Sequence, residues 1–396
     1  MRRLRNDLPY TFRPPKPRAW FRPLGLLANR IYLERKFAVT RLDDSGFDRV
    51  RELSRAGHAV LLAPNHADHS DPHVMTELVA RHGMKSHFMA AREVFEVSRL
   101  GAFALESMGV YSVDRDGPDL SAIKTSITLL ESSSDPLVIY PEGEIYHHHE
   151  RLDPLHEGVA SILLKAAGRM KEGKEAFLVP VGIRFHHDSS VENTFRDRLS
   201  KLEDRIGWTP RPAMPLDDRI VRLGTGLLGL KEMEHTSEVG RGRIQDRLAS
   251  LCDALLASAE NHHGRDPKSV TAPERVRAQR YRIRKRLLDA EKPPTASERG
   301  ELLDDLDRVF TALQAHSYIG DYFLAEQTLD RRAETIMKLE EDLLGFPNYP
   351  TPRTARVIAG EPIPVSRMLS SGDLPAKGGS TALTALLEAQ LGALLT

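Results

Sequence analysis

Apolar and polar positions fall into two textures along the chain. From about Arg49 to Phe185, short apolar runs alternate with helical patterns, which predicts an α/β domain whose strands are covered by helices. Strands are expected at His58–Ala63, Ser86–Ala90, Val110–Val113, Leu137–Tyr140 and Phe177–Val181, with helices at Pro72–Arg81, Val94–Ser107, Leu120–Ser132 and Glu157–Met170 between them. From about His187 the pattern becomes long, charged and helical. Pro273 stands where a helix would begin, and the basic run ERVRAQRYRIRKRLLDAEK precedes the acidic SERGELLDDLDRVFTALQAHS across Pro293–Pro294. These read as an antiparallel helical pair whose charges face each other or water. An apolar strand and turn return at Arg353–Val365, followed by a helix over Thr381–Leu395. The expected class is therefore α/β, a mostly parallel sheet flanked by helices with a large helical insertion. Its parts are a basic arm (1–47), a core (48–186), the insertion (187–352), and a closing strand and helix (353–396) that complete the core.

Composition changes this picture little. A chain of 396 residues with 40% apolar content can bury a sizeable core, and 56 basic residues balance 56 acidic ones, so the molecule as a whole offers no field to gather nucleic acid. Charge is local instead: residues 1–36 hold ten Arg or Lys against Asp7 and Glu34. Within that arm Leu24, Leu27, Ile31 and the Trp20–Phe21 pair are interleaved with Arg22, Arg30, Arg35 and Lys36. The pattern fits either an interfacial helix on an anionic membrane or a helix packed on the domain by the same apolar face. A single cysteine, Cys252, excludes an intrachain disulfide and thiolate-rich metal sites. No run approaches 18 apolar residues, so a cytoplasmic protein peripheral to a membrane, not spanning it, is expected.

The densest chemistry lies in LLAPNHADHSDPHVM, Leu61–Met75. Pro64 closes a strand and Asp71–Pro72 opens a helix, so Asn65–Ser70 form a strand-to-helix turn, where α/β folds place functional groups. His66 and Asp71 are close enough in sequence for a compact turn to set carboxylate against imidazole, which would make His66 a general base. A plain polar turn has the same composition. Zinc is a further alternative, since His66, His69, His73 and Asp71, with YHHHE at Tyr146–Glu150 and His186–His187, supply enough N and O ligands; the spacing matches no helical His pair.

The order of the remaining motifs favours the base. Asn65, His66 and Asp71 in NHADHSD, Arg115 closing GVYSVDR, Glu142 and Gly143 in YPEGEI, and the strand FLVPVGI together resemble the glycerolipid acyltransferase family, best known for the 1-acylglycerol-3-phosphate acyltransferases. VIAGEPIPV is similar to the family's late strand. The resemblance covers about Val60–Arg184. It implies acyl transfer from acyl-CoA or acyl carrier protein to a hydroxyl of a lysophospholipid or other glycerolipid in phospholipid biosynthesis, with no cofactor and no metal. It implies His66 and Asp71 as catalytic, and Asn65, Arg115, Glu142 and Gly143 as substrate-binding, with oxyanion donors among the N–H groups near Gly143 and the turn after Asn65. Glu144–Ile145 replace the family's usual Thr-Arg. The acceptor thus ranges over a lysophospholipid, glycerol 3-phosphate or an acceptor without phosphate, with Arg151, Arg184 or the three histidines as substitute contacts. Two other classes stay open: a metal-dependent esterase or thioesterase, and a catalytically silent lipid-binding scaffold.

Overall fold

The computed structural model describes residues 8–318, 321–350, 352–375 and 377–396. The chain divides into two compact units. Of the described residues, one unit comprises 11–114, 119–188, 352–375 and 377–396; the other comprises 8–10, 115–118, 189–318 and 321–350.

The first unit is built on one sheet of eight strands: β1 (Val39–Ser45), β2 (Ala59–Pro64), β3 (His87–Ala91), β4 (Val110–Val113), β5 (Leu137–Val138), β6 (Ala176–His187), β7 (Arg353–Ala359) and β8 (Ile363–Pro364). Their order is β1-β7-β6-β2-β5-β3-β4, with β8 also on β6. All pairs are parallel except β6 with β7 and β6 with β8. Every position of β2 is buried, as expected for a strand covered on both faces. Its Ala59, Leu61 and Ala63 meet Val159, Leu163 and Ala166 of the helix Gly158–Ala167, Ala122 and Leu130 of Leu120–Ser132, and Leu383 and Leu387 of Gly379–Leu395 in one core. The helix Phe47–Arg55 packs on β2 and β7. It is reached through Gly46 at φ +82°, where a Cβ would collide with the Ala359 carbonyl.

Some elements differ from the pattern-based reading. β1 and the helix Phe47–Arg55 are additional, and β6 runs six residues past the expected end, because Arg184, His186 and His187 continue the antiparallel ladder to β7. The helix expected over Val94–Ser107 is two, Arg92–Glu96 and Arg99–Ser107. Ser98 breaks it by capping the second, its hydroxyl accepting from the Gly101 N–H.

The N-terminal helix is Arg22–Arg35, and what it buries is Asn29 and Leu33. The apolar residues Leu24, Leu27 and Ile31 are 58%, 56% and 47% exposed, beside Trp20 at 65%. The alternative in which that apolar face packs on the domain is overturned. Much of the arm's charge, by contrast, is held within this unit: Arg13 and Lys16 bind Glu106, and Arg30 binds Glu77. Arg2, Arg3, Arg5 and Asp7 lie outside the described residues.

In the second unit, Phe195, Leu199 and Leu202 of the helix Glu192–Arg205 pack with Ile220 and Leu223 of Leu216–Thr236 and Ile336 and Leu339 of Leu329–Leu344. Three further helices are Ile244–His263, Ala272–Leu287 and Ala296–Ser317, the last two opened by capping boxes at Thr271/Glu274 and Thr295/Glu298. The basic helix does lie on the acidic one, with Arg286 on Glu298. Three of its other arginines pair elsewhere: Arg275 with Glu260 and Asp253, and Arg280 and Arg284 with the buried Asp116. Among the described residues, no helix is long and apolar enough to cross a membrane.

Candidate active site

The turn leaving β2 is fastened at both ends by side chains. Asn65, 1% exposed, accepts the Ile183 N–H at 2.6 Å and donates to the Ile183 carbonyl at 3.0 Å, acting as a piece of strand added to β6. Its amide holds the turn against β6.

His66 follows. Its Nδ1 lies 2.9 Å from Asp71 Oδ2, its ring stacks on Tyr140 with centroids 4.1 Å apart, and its backbone N–H donates to Glu142 Oε1 at 2.6 Å. The imidazole is 15% exposed and the Asp71 carboxyl fully buried. Asp71 Oδ2 also accepts the Asp68 N–H at 2.8 Å, so the turn's own backbone aims the carboxylate. Burial, with the charge of nearby Asp68, raises the Asp71 carboxyl well above the ordinary range. An imidazolium formed at His66 would cancel that costly buried charge, which is the electrostatic requirement for a base that must be positive in a transition state.

Sequence reading missed the brace beneath this pair. Arg353, at the start of β7 and fully buried, reaches Asp68 Oδ2 at 3.0 Å, Asp68 Oδ1 at 3.3 Å, Ser70 Oγ at 2.9 Å and the Phe37 carbonyl at 2.7 Å. The Phe185 ring lies 4.3 Å from its guanidinium carbon. Burial alone would raise Asp68, but Arg353 and Ser70 outweigh it and hold the carboxyl well below the usual range. The first aspartate of HADHSD, Asp68, is thus an anchor for the turn.

Glu142 and Gly143 form the wall opposite. Glu142 is 3% exposed and accepts from His66 N and, at 3.3 Å, from Asp153 N. Burial pushes its carboxyl up to about 7, against the opposing pull of His148 and the His66 N–H. A carboxyl raised on folding from 4.5 keeps its proton longer in the native state, so the stability it contributes is present at low pH and is lost as pH climbs through 7. Relative to wild type, Glu142→Gln should therefore gain stability between pH 5 and 8, by up to about 3 kcal/mol, read from urea unfolding at a series of pH values. A constant difference across that range would show that Glu142 does not titrate there.

Gly143 stands at φ +74°, and a Cβ there would come within 2.9 Å of His156 Cδ2. Its N–H donates to the Tyr140 carbonyl at 3.2 Å, closing a turn, while the His66 N–H is taken by Glu142. Both N–H groups are engaged in holding the site together. Arg115 lies in the segment 115–118 that clusters with the helical unit, whereas the other five expected residues lie in the sheet unit.

Two of the other histidines raised as zinc ligands, His73 and His148, are held by packing and local bonds. His73 Nδ1 is 2.7 Å from Asn29 Oδ1 and its ring sits against Tyr32 and Phe37. Burial, helped by Lys36, lowers it to about 4 and keeps it neutral. His148 lies between the Arg151 carbonyl and Asp153 at 2.9 Å from each. Arg184, one of the substitute cations, is paired with Glu150 at 3.1 Å.

No curated protein matches this chain. Residues 47–184, which contain His66, Asp71, Arg115, Glu142 and Gly143, match the Acyltransferase family model, and this match supports an acyltransferase function.

Proposed function

We propose that the protein moves a fatty acyl group from acyl-CoA or acyl carrier protein to a hydroxyl of a glycerolipid such as a lysophosphatidate, with His66 as general base. The observation that carries this reading is the His66–Asp71 contact at 2.9 Å within the family-matched segment. His66 Nε2 takes the proton of the acceptor hydroxyl as its oxygen attacks the thioester carbonyl. The C–S bond then breaks, and the thiolate leaves with the proton returned by the imidazolium. Asp71 fixes the tautomer throughout, and Asp68, Arg353, Asn65 and Glu142 hold the turn so that neither partner must reorganise during the step.

The exposed stripe Leu24, Leu27 and Ile31 with Trp20 supports delivery of the substrate from a membrane surface. Binding to anionic lipid vesicles in a flotation assay should fall about tenfold on Leu27→Ser, since an apolar side chain of this size is worth about 1.5–3 kcal/mol when buried. Equal binding of both proteins would remove the helix from the docking surface.

The function is tested by incubating wild type with labelled acyl-CoA or acyl carrier protein and a panel of lysophosphatidate, glycerol 3-phosphate and phosphate-free monoacylglycerol, without added metal. A labelled ester on one acceptor is the expected result and identifies it. Release of free fatty acid regardless of acceptor would instead make the protein a hydrolase.

A further inference from the structure

In the helical unit, far in sequence from the His66 turn, two helices bring together a second histidine–aspartate constellation. The helix Ile244–His263 ends in His262 and His263, and Asp305 lies on Ala296–Ser317. His262 Nδ1 and His263 Nε2 stand 3.0 and 2.8 Å from the same oxygen, Oδ2 of Asp305, and all three donor atoms lie within 4.8 Å of one another. Asp305 is 3% exposed, whereas the His262 side chain is 56% exposed, so the cluster is rooted in the unit and open to solvent on one side.

We propose that His262, His263 and Asp305 bind one divalent transition ion of the zinc, cobalt or nickel type, which clamps the end of one helix to the middle of the other. Two imidazole nitrogens and one carboxylate oxygen form the donor set that such ions prefer, while calcium and magnesium require more oxygen ligands. Metal bonds of about 2.0–2.2 Å at tetrahedral angles separate donor atoms by roughly 3.4 Å, so the observed contacts need open by only about half an ångström. The second carboxylate oxygen, Oδ1, is held by the Arg308 guanidinium. This contact fixes the carboxylate so that it offers Oδ2 alone, as outer-sphere partners commonly orient metal ligands, although its positive charge also limits affinity. Both histidines lie in the last turn of their helix, where the backbone carbonyls favour a cation. Water would complete the coordination on the side of His262.

Equilibrium dialysis of the full chain against Zn²⁺, with metal counted per chain, tests the site; Co²⁺ absorption in the visible range reports its geometry. One equivalent should bind in the micromolar range with a tetrahedral or five-coordinate cobalt spectrum. His263→Ala should abolish it, and His262→Ala, at a half-exposed position that folding does not depend on, should weaken it by about ten- to a hundredfold. His82→Ala, which removes a surface histidine 2.7 Å from Asp44, should leave binding unchanged. Absence of stoichiometric binding, or binding that survives both His262→Ala and His263→Ala, would overturn the proposal.

Discussion

Replacing His66 with alanine should lower acyl transfer by about two to four orders of magnitude, the usual contribution of a positioned general base. The side chain is 15% exposed and its ring is bonded to Asp71 at the edge of the core, so its loss should leave the urea midpoint close to that of wild type. The Asp71 carboxyl that loses its partner is already raised by burial and takes up a proton, which spares the fold an unpaired buried charge. Asp71→Asn gives the complementary result. Asparagine keeps the volume but cannot stabilise an imidazolium, and transfer should fall by a similar factor while the acceptor's KM changes little. If His66→Ala retained transfer within tenfold of wild type, the base would have to be another group.

The second large effect is expected at Arg353. Arg353→Met strands a buried Asp68 carboxylate, and breaking one side of such a pair costs about 3–5 kcal/mol. Because Asp68 also gives its N–H to Asp71, the loosened turn should lose transfer as well as stability. Asp68→Asn combined with Arg353→Met should recover much of the stability, since neither charge is then left alone. Denaturant unfolding of the two single variants and the double variant measures the coupling. Additive losses would mean that the two side chains do not act as a pair.

These two sites differ in how far sequence alone could lead to them. His66 and Asp71 are five residues apart, so a turn between a strand-ending Pro64 and a helix-opening Pro72 suffices to suggest their contact. Arg353 and Asp68 are 285 positions apart, and no local pattern ties an arginine at a strand start to an aspartate in a distant turn. The same contrast holds for the fold. Val110–Val113 and Leu120–Ser132 were legible at both ends because an apolar run or a helical period is a local signal. β1, with the sequence VTRLDDS, has the polarity of a loop; pairing with β7 makes it a strand. The bonds of Asn65 to Ile183 were hidden for a related reason, since the two are 118 positions apart and meet only when the sheet is assembled.

The register of β6 and β7 also bears on how the chain folds. His187 pairs with Arg353, so residues 189–350 occupy the place of an ordinary hairpin loop. Were that segment disordered, closing so long a loop in place of a four-residue one would cost about 3 kcal/mol of chain entropy. Once folded, with its ends near each other, it lifts most of that cost. Weakening the helices of residues 189–350 should therefore loosen β7 and, through Arg353, the turn that carries His66, with no direct contact needed to transmit the effect.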